Sequence, residues 1–277
     1  SALTTEQAHG WSVGDPLLVT PTMFYTLASP EVFTLAAGTG NSVTLSGNLA
    51  TQRWGVLQYA TDTGVSLSRT RFSAKRATKH VEQVIDQRAY VANLKRPIRI
   101  EAPNDSSWTS NGHGVTTITF GRTSAYWMTG VEIDRCGQKG VIEHYPFHAH
   151  FGSYQQLSGD FAPSNGVWTG DVPHMTIRGS VVKNSKHRAT TIHASTGVRV
   201  LNNVMYDILG HAVMLEEGSE ERLQIRNNLI CKVGAPTVSD AILTSDQDDS
   251  FAKIGAAGLW LTNLQCDVSN NSVIGAL

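Results

Sequence analysis

The chain has 277 residues, enough for a sizeable buried core and for one or two domains. With 22 basic and 23 acidic residues the net charge is −1, which excludes nucleic-acid binding by bulk electrostatics but leaves room for a local basic groove. Charged residues make up only 16% and glycines number 25, a composition that favours turns and short strands, and no apolar run approaches the roughly 18 residues of a membrane span.

The ends, SALTTEQ and NNSVIGAL, read as those of a processed or trimmed chain, so the lack of a signal sequence is compatible with secretion. Cys136, Cys231 and Cys266 are odd in number and without CxxC spacing. They imply neither a disulfide framework nor a zinc knuckle and read as buried thiols, with one pair at most.

The N-terminal stretch 1–100 reads as short strands and turns, a β cap or small β domain. WSVGDPLLVTPT places a Gly-Asp-Pro turn before an apolar strand, and NSVTLSGNL alternates as a half-buried strand should. SRTRFSAKRATKHVEQ (68–83) is basic and polar and reads as a solvated face. DQRAYVANLKRPIRIEAP then resumes strand character.

From Met128 a degenerate repeat appears in MTGVEIDRCG, MTIRGSVVKNS, VRVLNNVMYDI, LQIRNNLICKV and CDVSNNSVIGA. Each copy carries a strand, a Gly-Ser or Asn-Asn bend and a second strand, at a period of 20–25 residues that indicates a solenoid. Asparagine suits such bends because it tolerates left-handed backbone and can hydrogen-bond to an asparagine one coil away. The fold predicted is all-β, with a right-handed parallel β-helix over 101–277 interrupted by loops near 153–173 and 234–257.

Seven of the ten histidines lie between His144 and His211. In PFHAHF, alternation puts Phe147, Ala149 and Phe151 inside the coil and His148 and His150 on its outer surface. In TTIHAS, Ile192 and Ala194 point in while Thr191, His193 and Ser195 point out, and Glu216 follows His193 by about one coil. Two histidines at His-x-His spacing, a third on a nearby rung and a carboxylate form a candidate divalent-metal site, zinc or calcium, with a metal-free catalytic site or a purely structural polar ladder as alternatives. His211 should face inward unless Gly210 changes the phase. Glu216 and Glu217 should point to opposite sides, so that one reaches the cluster. Adjacent carboxylates also suit acid/base cleavage of a glycoside. His9, His80 and His174 read as ordinary surface residues.

The succession GHG (112–114), GVEIDRCGQKG (130–140), YPFHAH (145–150), RATTIHASTG (188–197) and YDILGHAVMLEEGSEER (206–222) resembles the cell-migration-inducing and transmembrane hyaluronidase family. WSVGDPLLVTPT and DQRAYVANLKRPIRI resemble earlier segments of the same family, so the likeness runs from about Trp11 to Leu277. It implies an eight-glycine domain joined to a parallel β-helix in secreted or cell-surface proteins acting on hyaluronan. His148, His150, Arg188, His193, His211, Glu216, Glu220 and Glu221 fall on matching positions, as do Asp15, Asp86, Arg88 and His113. The family's HFH is HAH here and its EDG is EEG. His144 stands at an arginine-like position, and the 153–173 insertion leaves Asp160 and Asp171 as rival matches to one aspartate.

These readings give an extracellular, hyaluronidase-like enzyme cleaving a uronate-containing polymer, with no nucleic-acid partner. The expected catalytic set is His148, His150, His193, His211, Glu216 and Glu217. The expected metal ligands are His148, His150, His193 and Glu216. Substrate binding falls to Asp86, Arg88, His113, Tyr145 and Arg188, with Arg88 and Arg188 pairing with uronate carboxylates. The alternatives are a β-eliminating lyase, a non-catalytic glycan-binding module and a structural β-helix.

Overall fold

The computed structural model describes residues 1–23, 28–61, 64–66, 84–121, 124–152, 175–241 and 255–276. The basic stretch 68–83 with His80, the loop 153–173 with Asp160 and Asp171, His174, and 242–254 of the second loop lie outside them. The chain forms two units, Ser1–Asn93 and Leu94–Leu277.

The N-terminal unit carries a five-stranded antiparallel sheet ordered Ala2–His9, Gly40–Leu45, Glu31–Ala37, Pro16–Val19 and Val91–Asn93. Leu17, Val19, Leu35, Val43 and Leu45 form its core. The Gly-Asp-Pro turn is tied down by Asp15, whose Oδ2 accepts from the Ser12 backbone N–H at 2.9 Å and from Asn93 Nδ2 at 2.8 Å. His9 is half-buried and stacks on Trp11.

The second unit is a parallel β-helix whose coils each contribute strands to three stacked sheets. The first sheet joins Tyr126–Thr129, Met175–Arg178, Arg199–Leu201, Gln224–Arg226 and Asp267–Ser269. The second joins Ile98–Glu101, Val131–Cys136, Val181–Ser185, Val204–Leu209, Leu229–Gly234 and Ser272–Ala276. The third joins Ile118–Phe120, Phe147–His150, Thr190–His193, Val213–Leu215 and Leu259–Trp260. Each side chain stacks on its counterpart one coil away, so the interior fills as columns such as Ile133, Val182, Met205 and Ile230. Such fully buried apolar side chains contribute about 1.5–3 kcal/mol each.

Paired asparagines make the corner between the first two sheets. The leading position, Gly130, Gly179, Asn202, Asn227 and Asn270, has φ of +54° to +66° in every coil, within the left-handed region that Gly and Asn tolerate. The following position forms a buried ladder. Asn203 Nδ2 donates to Asn228 Oδ1 at 3.0 Å, and Asn228 Nδ2 to Asn271 Oδ1 at 2.8 Å. Each Oδ1 also accepts the backbone N–H of the coil before it. Each Nδ2 closes on a carbonyl as well, so the corner's buried polar groups are hydrogen-bonded. Cys136, Cys231 and Cys266 are free thiols, the first two buried.

Candidate functional site

The outer face of the third sheet carries the histidines. Phe147 and Ala149 enter the core, leaving His148 and His150 on the opposite face. Parallel register sets His150 beside His193, and the Ile192–Leu215 pair sets Glu216 one rung further on. His148 and His150 are outward-facing but not exposed, at 0% and 5% of their free surface. Tyr145 covers His148, its ring edge-on to that imidazole at 4.9 Å and to His187 at 4.7 Å.

Alternation fails where the strands end. Phe151 and Ala194 have φ of +50° and +44°, so Phe151 swings to the surface instead of the core, and Ser195 is buried as a hydrogen-bond partner of Gly152. Ala194 is half-buried, and its N–H donates to Glu217 Oε2 and Glu220 Oε1, both at 3.0 Å. The third strand of the site likewise stops at Leu215, and both following carboxylates reach His193, not one. Nδ1 lies 3.2 Å from Glu216 Oε2, and Nε2 lies 2.5 Å from Glu217 Oε1. Glu220, fully buried, holds this turn by accepting the N–H groups of Glu217 and Gly218.

Arg188 is not a surface arginine. It is fully buried, and its Nη1 donates to Glu216 Oε1 at 2.6 Å and to Tyr145 Oη at 3.1 Å, while that hydroxyl donates to the same carboxylate oxygen at 3.1 Å. Arg188 and Tyr145 therefore fix Glu216 and do not present donors to a polymer. Asp86 and Arg88 belong to the N-terminal unit, where Arg88 engages both Asp86 oxygens and Glu6. His113 is exposed and bridged to Gln138, and the glycines around it serve packing. A Cβ on Gly114 would stand 2.5 Å from the Cys136 backbone. His211 is buried away from the cluster, its Nδ1 accepting the Ala257 N–H at 2.9 Å and its ring lying 4.7 Å from Trp260.

Glu143 escaped the sequence reading. It adopts φ +70° and turns its carbonyl onto His148 Nδ1 at 3.1 Å. A carbonyl only accepts, so His148 carries its proton on Nδ1 and presents a lone pair at Nε2. His150 Nδ1, 3.2 Å away, must then donate to it, which leaves the lone pair of His150 on Nε2. That nitrogen lies 4.0 Å from Glu143 Oε1, and a lone pair opposite a carboxylate is a place for a proton or a cation. Burial, reinforced by His150, pushes the His148 pKa down to about 3, and burial with His193 also lowers His150. Burial, then the neighbouring Glu220 and Glu216 carboxylates, pushes Glu217 up to about 7.

The ligand atoms of His148, His150 and His193 lie within 4.8 Å of one another, as do those of His193, Glu216 and Glu217. Two neutral imidazoles and a third beside two carboxylates form a donor set suited to a divalent ion, which would take the His148 Nε2 lone pair in place of the His150 N–H.

The sequence profile of the CEMIP beta-helix matches residues 112–277, most of the chain. The chain belongs to the CEMIP β-helix family. Among its relatives is Communication mutant protein F of Dictyostelium discoideum, 30% identical over 193 residues, which cover 67% of this chain and 15% of that protein. Mus musculus Cell migration-inducing and hyaluronan-binding protein is 30% identical over 53% of this chain and 9% of its own length. Danio rerio Cell surface hyaluronidase is 28% identical over 62% of this chain and 12% of its own. The chain thus spans a small fraction of these CEMIP β-helix relatives. None of its described helices is long and apolar enough to cross a membrane.

Proposed function

We propose that this β-helix is the catalytic part of an extracellular enzyme that hydrolyses a uronate-containing polysaccharide, hyaluronan or a related glycosaminoglycan. The observation that carries the reading is the convergence of three imidazoles with Glu143 at one side and the Glu216/Glu217 pair at the other. The names of the mouse and zebrafish relatives support the substrate class.

Hydrolysis breaks the glycosidic C–O bond, adds water across it, and requires one proton to reach the leaving oxygen as another leaves the water. Glu217, more exposed than Glu216 and in contact with His193, delivers the first. Glu143, beside His150, takes the second. Glu216, fixed by Arg188 and Tyr145, orients His193. His148, His150 and His193 would hold a divalent ion, with Glu216 in its surroundings. When bound, such an ion supplies a Lewis acid and lowers the pKa of a coordinated water toward about 7.

Incubation with hyaluronan and other uronate polymers, with and without a chelator, tests this. New reducing ends without unsaturated-uronate absorbance, abolished by the chelator, are expected. Both signals together would make the protein a lyase. Binding without new ends on any polymer would leave a glycan-binding module and end the enzyme reading.

A further inference from the structure

The third sheet's strands leave their rungs through one left-handed position, occupied on successive coils by Gly121 (φ +95°), Phe151 (+50°) and Ala194 (+44°). Glycine adopts this geometry freely and a bulky aromatic side chain resists it, so phenylalanine is the costly choice among the three. It gains little core burial in return, since Phe151 is 47% exposed. Its ring stands edge-on to His150 at 4.5 Å and tilted over His193 at 4.9 Å.

A second exposed ring completes the arrangement. Phe120 sits one rung before His150 on the same outward ladder, 64% exposed, and stacks on the His150 ring at 5.2 Å and 27°. The two phenylalanines meet nearly at right angles, 6.0 Å apart. Two solvent-facing apolar rings thus rim a buried polar cluster, at an energetic cost to the fold in both solvation and backbone.

We propose that Phe120 and Phe151 form a sugar-stacking subsite, which takes the apolar C–H face of a pyranose ring and holds its hydroxyls toward His150 and His193. The proposal rests on the polysaccharide reading above and assigns one bound unit of the polymer a place. A pyranose combines a flat apolar face with a polar rim, which matches apolar rings bordering imidazoles. Phe120, His150, His193 and Glu216 occupy four successive rungs, roughly 14 Å at about 4.8 Å per rung. A polymer seated on the rings would continue along this ladder over the carboxylates.

The test uses Phe151→Gly, Phe120→Ala and the double variant of the full chain. Phe151→Gly relieves the left-handed strain at an exposed position, so it should fold and melt no lower than the parent. Affinity for a hyaluronan hexasaccharide and for a neutral xylan hexasaccharide is measured by calorimetry, KM and kcat on hyaluronan by reducing ends, and zinc content by elemental analysis. The expected result is about a tenfold loss of affinity or rise in KM per ring, with kcat and zinc content unchanged. Affinity within twofold of the parent, or zinc loss in parallel with affinity, would overturn the subsite, the latter showing that the rings only wall the imidazoles. Parent binding of the neutral sugar alone, lost in the variants, would keep the subsite and sink the uronate reading. A parent that binds neither sugar would sink the subsite.

Discussion

Replacing Arg188 with methionine separates the arginine read from the sequence from the one found in the fold. Methionine keeps much of the side-chain length but removes the donors that meet Glu216 Oε1 at 2.6 Å and Tyr145 Oη at 3.1 Å. Arg188 is 0% exposed and the Glu216 side chain only 11%, so the carboxylate would keep little water in exchange for its counter-charge. Removing one partner of a buried pair costs about 3–5 kcal/mol, because the other charge stays desolvated. For a chain of this size that is a fall of roughly 6–20 °C in Tm. Urea unfolding followed by tryptophan fluorescence measures the loss directly, and the double variant Arg188→Met/Glu216→Gln should recover at least about 2 kcal/mol. A loss below about 1 kcal/mol with a raised KM for polymer would refute the buried-pair argument and restore Arg188 as a uronate-binding residue.

His148→Ala and His193→Ala should each abolish bound divalent metal measured by elemental analysis after dialysis, whereas His211→Ala should leave it in place. Unchanged metal in the first two variants would refute the three-imidazole site. At the corner, Asn203→Ala strands the Ser180 N–H, takes the amide donor from the Ile177 carbonyl and removes one of the two donors to Asn228 Oδ1, and should cost about 2–4 kcal/mol by chemical unfolding, while Asn202→Gly at φ +56° should change stability by less than about 0.5 kcal/mol. In chelator-treated protein, carbon NMR should show Glu217 titrating near pH 7, with a lower midpoint in Glu220→Gln, which removes a neighbouring charge. Because this folded pKa lies above the unfolded carboxyl value, its contribution to stability is present at acid pH and is lost as pH rises through about 7. A midpoint near 4 would show that burial does not govern Glu217.

The β-helix was legible because its repeat is local. Alternation within four or five residues and Gly-Ser or Asn-Asn bends at Gly179, Asn202 and Asn227, 23 and 25 residues apart, fix strand, corner and period, and coil stacking follows from the period. The same logic put His193 on a rung near His148 and His150 and Glu216 about one coil after it, and the parallel register makes His150 the neighbour of His193. It could not say that Asn202 takes the left-handed turn while Asn203 builds the ladder, since the two are chemically identical and differ only in which way the corner points them.

The site itself divides along the same line. The sequence by itself determined which residues share the outer face of the third sheet, because a strand's alternation is a property of its own backbone. Only the tertiary structure decided what becomes of that face. The left-handed breaks at Phe151 and Ala194 end the alternation, bringing Phe151 out, and the strand end at Leu215 brings Glu217 in. Glu143 arrives from a turn outside any strand, and Tyr145 and Arg188 close over positions that alternation alone would expose. Burial, ion pairing and proton placement depend on segments that meet across coils, and no spacing along the chain encodes them.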